Sequence, residues 1–448
     1  MKMKIKVDFD KIIGSIKPMH GVGQPPFYHD DFSMFRFLYE AGIPYSRLHD
    51  VGGPLGGGLY VDVPNIFRDS DADPYDPASY DFTFTDVLIK NLCDVKCEPF
   101  FRLGVTIENS QMLKAYRIFP PKDPKKWATV CEHIIKHYNY GWADGFHFGI
   151  KYWEIWNEPD DCYTLETSMM WRGTPEQFYE LYDISSRHLK SVFGDEIMVG
   201  GYAHCGFYAY ENYPDLSDIG RKCSTFTEFF FEFLDGFFKY IKAHGSPLDF
   251  FSWHTYADVK TALKHAEVCR EILDKHGYEN VPDILNEWNP CADAKARNSH
   301  IPASRALAFM LGMQNKSVSI LCYYDARIGP SSYGGLFNPD TWEPYPAYYA
   351  FKAFNEAYKL LNQVECITDS NDVFALAASH GEKKVILIAN IGPDCDAEFN
   401  IGESSPVSIK VIDETHTYSE LTGTVDLHCL HLSADSCYEI SFNGGLDK

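Results

Sequence analysis

From about residue 18 to residue 358, short apolar runs alternate with longer amphipathic stretches. This alternation predicts strands and helices in turn, hence a parallel sheet, and eight strands imply closure into a barrel. The strands are read at Met19–Gly23, Gly42–Asp50, Glu98–Leu103, Tyr152–Trp156, Ile197–Gly201, Asp249–Tyr256, Pro282–Asn289 and Ser319–Asp325. Helices are predicted from Asp30 through Tyr39, from Phe84 to Val95, and from an Asp123-Pro124 cap to Tyr138. Another opens at Thr174, a natural N-cap, with Pro175 at the first helical position and Gln177 completing a capping box. From about Leu361 the pattern changes to short strands separated by turns: Val373–Leu376, Lys384–Asn390, Val407–Val411 and Cys437–Ser441. That pattern predicts an antiparallel sandwich. Met3–Phe9 alternates as a strand, precedes the barrel and is assigned to the sandwich. The expected fold class is therefore α/β: a (β/α)8 TIM barrel over residues 16–358 and a C-terminal antiparallel β-sandwich domain over 359–448, joined by an N-terminal strand within 1–15.

Two of these strands end alike. Tyr152-Trp153-Glu154-Ile155-Trp156 is apolar except at Glu154, then delivers Asn157-Glu158 before Pro159, which has no N–H to pair. Pro282-Asp283-Ile284-Leu285 leads likewise into Asn286-Glu287-Trp288-Asn289. Barrel enzymes place catalytic acids at the C-terminal tips of their strands. A separation of about three strand–helix units of 40-odd residues puts the tips on strands four and seven, facing each other across the mouth. A lone strand-end carboxylate is often only structural; a facing pair with aromatic walls suits sugar cleavage.

Composition narrows the chemistry. Aromatics make up 15%, with 29 Tyr and 32 Phe, which suits stacking on pyranose faces. The formal charge of −23 argues against a nucleic-acid partner, whose phosphates demand a basic surface. It weighs more mildly against an anionic sugar. The basic N-terminus, Met1 to Lys6, has no apolar stretch behind it, so no secretory signal is expected, and no run approaches the ~18 residues of a membrane span. Thirteen scattered cysteines, with no CxxC pair, point away from zinc and toward reduced thiols in the cytoplasm. The stretch Val51–Tyr80, with Gly52-Gly53, Gly56-Gly57-Gly58 and Asp-Pro pairs, reads as a long irregular loop. Asp69, Asp71 and Asp73 alternate as in a calcium loop, yet Pro74 and Tyr80 stand where glycine and glutamate belong, so a solvated turn is expected. No metal and no cofactor is expected; homo-oligomerisation stays open.

Glycoside hydrolysis needs one carboxyl to protonate the leaving oxygen and a second to attack the anomeric carbon or activate water. Burial and a nearby negative charge raise the pKa of such an acid. Glu158, between Trp156 and Pro159, suits the acid. Glu287 suits the nucleophile if Arg47 and Tyr256 hold it ionised, and Asn157 could bond the sugar 2-hydroxyl. Arg47 and His49 end the second strand, and His254 and Tyr256 the sixth. Each has an ordinary alternative, a core ion pair for Arg47 and a satisfied core histidine for His254. Trp288 reads equally as core or as a stacking platform. The residues alone leave the roles of the two glutamates unassigned.

Ile155-Trp156-Asn157-Glu158-Pro159, followed by Trp171-Arg172-Gly173-Thr174-Pro175-Glu176-Gln177-Phe178, resembles glycoside hydrolase family 39. Tyr80 to Asp86, Val199-Gly200-Gly201, Ser252-Trp253-His254-Thr255-Tyr256 and Asn286-Glu287-Trp288-Asn289 complete a resemblance running from about Tyr80 to Phe354. It implies Glu158 as acid/base and Glu287 as nucleophile of a retaining enzyme. From the strand ends, the candidate substrate-binding residues are Asn157, Arg47, His49, His254, Tyr256, Trp288, Tyr324 and Asp325. Members include β-xylosidases and α-L-iduronidases. Strand eight departs from the family's Tyr-Trp-Thr-Phe-Ser-Asp, reading Tyr323-Tyr324-Asp325-Ala326-Arg327, and the glycine-rich loop departs too. The expected activity is exo-cleavage of neutral β-linked oligosaccharides, xylosides first. The alternatives are an endo-enzyme, another sugar, or a carbohydrate-binding protein without catalysis.

Overall fold

The computed structural model describes residues 2–26, 28–29, 32–51, 60–108, 117–161, 168–207, 225–328, 333, 335–401, 406, 408–422 and 426–442. Eight parallel strands close into a barrel: Gly21–Gly23, Tyr45–Leu48, Glu98–Leu103, Tyr152–Ile155, Met198–His204, Phe250–Thr255, Asp283–Trp288 and Leu321–Tyr323. They neighbour each other in chain order, with strand eight returning to strand one through Cys322 beside Gly21. Strands four and seven thus stand on opposite sides of the mouth.

The barrel interior is layered, because alternate residues of each strand point inward. At the lower level Phe100, Phe250, Ile284, Ile320 and Cys322 pack with Tyr45, Tyr152 and Met198 as an apolar cluster separate from the main core. Two residues further along four of the same strands come Arg47, Glu154, Ser252 and Asn286, all fully or almost fully buried. A polar layer therefore sits on an apolar plug, directly beneath the mouth. The larger core lies between strands and helices, where outward residues such as Trp153, Trp253 and Leu285 meet the helical faces.

Local signals account for the helix starts. Thr174 caps the helix Pro175–Phe193 with the full reciprocal capping box to Gln177. Asp123 caps Pro124–Tyr140, accepting from the N–H groups of Lys125 and Lys126, and Gly141 ends it at φ 73°. The first helix is shorter than expected, Phe35–Glu40. Residues 28–29 and 32–33 pair as a small ribbon before it, and Asp30 lies outside the described residues. Within Val51–Tyr80 the glycine cluster at 52–59 also lies outside them. The described remainder is not wholly irregular, since Val63–Ile66 forms a helical turn with Pro64 inside it. Asp69 and Asp73 accept the N–H groups of Asp71 and Tyr75, so they close turns.

Beyond the barrel lies one nine-stranded sheet with a core of its own, including Val364, Ile386, Ile388, Val411 and Ile440. The N-terminal strand runs from Met3 to Ser15 and inserts between Asn362–Thr368 and Cys395–Asn400. Its pairing with the first is antiparallel and with the second parallel, so the sheet is not purely antiparallel. No helix among the described residues is long and apolar enough to cross a membrane.

Candidate active site

Strand alternation alone would turn the key carboxylate of strand seven away from the barrel. Ile284 and Asn286 point inward, so Glu287 should point out. A register irregularity against strand six falls between Leu285 and Glu287, and this extra residue turns Glu287 back to the mouth. Strand four does the same by a backbone turn. Trp156 adopts φ 70°, sends its indole outward to donate to the Met170 carbonyl, and leaves Asn157 buried against Arg47. Glu158 follows at φ 43°, its N–H held by the Tyr202 carbonyl.

Arg47 is the hub. Its guanidinium donates to Glu154 Oε2 at 2.9 Å, to Glu287 Oε2 at 3.1 Å and to Asn157 Oδ1. Glu154 in turn accepts from Ser252 Oγ and Asn286 Nδ2 through its other oxygen. Strands two, four, six and seven are thereby tied at one level. Above it, His254 Nδ1 lies 2.6 Å from Glu158 Oε1 and 3.7 Å from Glu287 Oε2. Tyr256 donates its hydroxyl to Glu287 Oε1. An oxygen of each glutamate and the His254 nitrogen lie within 4.8 Å of one another.

Two carboxyls this close in a buried site cannot both ionise cheaply. Burial, then the Asp160 carboxylate, pushes the Glu158 pKa up to about 8. Burial also raises Glu287, to about 7, with His254, Arg47 and the Tyr256 hydroxyl opposing and Glu158 adding to it. Both carboxyls are thus held above the ordinary range, and the pair keeps a proton near neutral pH. Burial lowers His254 to about 4, so it is a neutral imidazole that holds one Glu158 oxygen and leaves Oε2 available. Burial and Glu158 likewise push Asp161 upward.

Of the sequence-derived residues, Arg47, Asn157, Glu158, His254, Tyr256 and Glu287 meet in this cluster. Tyr324 stands edge-on to Tyr256, with ring centroids 6.1 Å apart, and donates to Asp50 Oδ2 at 3.1 Å. His49 meets the other Asp50 oxygen at 3.2 Å, and Asp325, fully buried, pairs with Arg327 at 3.1 Å. Trp288 is not brought to the mouth. It stacks on Phe309 at 4.2 Å in the helix layer, because the irregularity that turns Glu287 inward turns its neighbour outward. Sequence reasoning passed over Glu154, although a lone carboxylate inside an apolar strand is itself a signal. It also passed over Gln24 and Asp50, which hold φ 58° and 54° at the tips of strands one and two. Arg102, paired with Asp62 at 2.6 Å, was also passed over.

Buried polar atoms without a protein partner surround the two glutamates: the Gln24 amide, Asn157 Nδ2, His254 Nε2, His49 Nδ1, Arg102 Nε and Asp325 Oδ1. Such atoms are costly unless water or a ligand uses them. Donors and acceptors ringed around a carboxyl pair suit a polyhydroxylated molecule. Two trios could also ligate a cation, Glu158–His254–Glu287 and Glu158–Asp161–Cys205. Both use Glu158, and a cation there would hold that carboxyl ionised, against the protonated state its surroundings favour.

The model of Glycosyl hydrolases family 39 matches residues 3–299. No curated protein sequence matches the chain. Among solved structures, a glucosidase from Croceicoccus marinus is similar at 20% identity and TM-score 0.76, covering 98% of both chains. A GH39 β-xylosidase from Caulobacter crescentus is similar at 17% identity and TM-score 0.68, covering 98% of this chain and 100% of its own. A GH39 enzyme from Xanthomonas axonopodis pv. citri is similar at 16% identity and TM-score 0.66, covering 98% and 96%. At these identities the neighbours establish the fold, and the family match covers well over half of the sequence. The chain belongs to glycosyl hydrolase family 39, and it is a retaining glycoside hydrolase.

Proposed function

We propose that the enzyme removes single neutral sugars from β-linked oligosaccharides, as a β-xylosidase does, with Glu158 as acid/base and Glu287 as nucleophile. The observation that carries the assignment is the proximity of the two carboxyls within 4.8 Å in a buried site that raises both pKa values, with Arg47 and the Tyr256 hydroxyl both donating to Glu287. A short separation suits direct attack, whereas an intervening water needs about 6.5–9.5 Å. In this reading the Glu158 proton passes to the glycosidic oxygen as Glu287 attacks the anomeric carbon. The aglycone leaves as an alcohol and the sugar stays esterified to Glu287. Glu158, now a carboxylate, takes a proton from water, whose oxygen displaces Glu287 and restores the original configuration. Asn157 Nδ2 bonds the sugar 2-hydroxyl.

A neutral sugar is favoured by the excess of carboxyls at the mouth, where Asp50, Asp160, Asp161 and Asp325 accompany the two glutamates and outnumber Arg47, Arg102 and Arg327. The fold neighbours named as a β-xylosidase and a glucosidase suit the same sugar class. The unpaired described thiols support a reducing, cytoplasmic setting. A panel of aryl β-glycosides tests the reading. Highest kcat/KM on the xyloside supports it; preference for a uronide, or for internal cleavage of long chains, overturns it. Sugar binding without release from any member would indicate a binding protein.

A further inference from the structure

A second cavity lies outside the barrel, behind the tip of strand four. Its volume of about 400 Å³ is within the usual range for small-molecule sites. Its walls include the rings of Phe67, Phe119, Trp127 and Trp156. The Trp156 N–H is already satisfied by Met170, so this indole offers the cavity only its ring. The same residue separates the cavity from Asn157 and Glu158 on its far side.

The rim reverses the sign of the molecule. The chain carries −23 overall, yet four cations line this cavity, Arg68, Arg117, Lys122 and Lys126, against Asp71 and Asp123. Asp123 is occupied in capping the helix Pro124–Tyr140, and Asp71 sits in the turn closed by Asp69. Arg68 is paired with Asp81 at 2.7 Å, and Arg117 with the Asn65 side chain. Lys122 and Lys126 make no ion pair among the described residues, and the Lys126 ammonium lies 5.8 Å from the Phe67 ring centre. Both stand at the N-terminal end of a 17-residue helix, whose dipole adds to their field.

We propose that this cavity binds a six-membered ring carrying a carboxylate, one apolar ring face against Phe67 and Trp127 and the carboxylate against Lys122 and Lys126. Aromatic walls favour ring faces, and two ammonium groups without an ion-pair partner favour an anion. Such a group can be a phenolic acid or a uronic acid. The site is distinct from the carboxyl pair and does not depend on which glycoside the mouth cleaves.

Calorimetric titration of the full chain with 4-hydroxycinnamate and with glucuronate tests this, with 4-hydroxycinnamyl alcohol and glucose as neutral counterparts. At least one acid is expected to bind with Kd below about 1 mM, and its neutral counterpart about tenfold or more weakly. Which acid binds identifies the source of the ring. The double variant K122E/K126E should weaken that binding by at least about tenfold, with kcat/KM on an aryl glycoside unchanged. Glu287→Gln should leave it intact. Absence of binding by both acids, equal binding by the double variant, or loss of binding in Glu287→Gln would each overturn the proposal, the last by placing the ligand in the catalytic mouth.

Discussion

Arg47 and Glu154, on barrel strands two and four, form an ion pair with both side chains out of solvent, Nε to Oε2 at 2.9 Å. Neither has to touch a sugar for the pair to matter. Glu154 fixes the guanidinium whose other nitrogens reach Glu287 and Asn157. Neutralising it leaves a buried cation with less compensation and frees Ser252 and Asn286 to rotate. Glu154→Gln should therefore destabilise the fold, by up to about 3–5 kcal/mol. It should also lower kcat/KM by about a hundredfold through misplacement of the reacting groups. Thermal melts and aryl-glycoside kinetics check this; a variant with native melting and native turnover would remove Glu154 from the account.

The pH–rate profile follows from the two raised pKa values. Turnover requires Glu287 ionised and Glu158 protonated, so kcat/KM should rise as Glu287 loses its proton and fall as Glu158 loses its own. With Glu287 near 7 and Glu158 near 8, the optimum should lie near neutral pH, and the limbs should be read as properties of the pair. Glu158→Gln should abolish the alkaline limb on an aryl substrate whose leaving group needs no acid. An optimum near pH 4–5 would contradict these environments.

Stability should carry the same signature. An unfolded glutamate titrates near about 4.3, and Glu158 near 8 in the fold. Between those values the folded chain holds a proton that the unfolded chain has lost, so stability falls as pH rises. Below that window the cost is absent; above it the loss is complete and constant. Relative to the wild type, Glu158→Gln should gain stability progressively across the window, up to about 5 kcal/mol for the full shift, and nothing further beyond it. Denaturant midpoints measured from pH 4 to 9 check the sign.

Metal removal should have no effect. Asp69 and Asp73 are engaged in closing turns, and both trios that could ligate a cation contain Glu158, whose catalytic role requires a proton. Turnover in a strong chelator should equal turnover without it. Loss that returns with calcium would assign one of these clusters to an ion.

Much of the barrel was legible because the signal is local. Apolar runs ending in Asn-Glu mark strands four and seven, and Thr174, Pro175 and Gln177 announce their helix before any tertiary contact forms. What the mouth contains was less legible, because closure decides which strand tips meet. Glu154 reads as an interruption in a strand until strands two, six and seven bring Arg47, Ser252 and Asn286 to it. Trp288 and Glu287 could not be assigned to opposite faces from period alone, since the irregularity before Glu287 reverses the alternation. Trp156 likewise breaks the period through a left-handed backbone that no neighbouring glycine advertises. The C-terminal sheet hid Asn362–Thr368 and Cys395–Asn400 because their half-exposed strands lack a continuous apolar run.

The division of labour between the two glutamates is tested most directly by azide rescue of Glu158→Ala. On an aryl glycoside with a leaving group of low pKa, the variant should still form the glycosyl-enzyme on Glu287, because departure needs little protonation. It should then stall, since no base remains to activate water. Azide needs no base, so it should restore turnover and give a glycosyl azide with the anomeric configuration of the substrate. Rescue with inversion at Glu158→Ala would show that Glu158 is the nucleophile, and near-normal turnover of a natural substrate would show that it is neither.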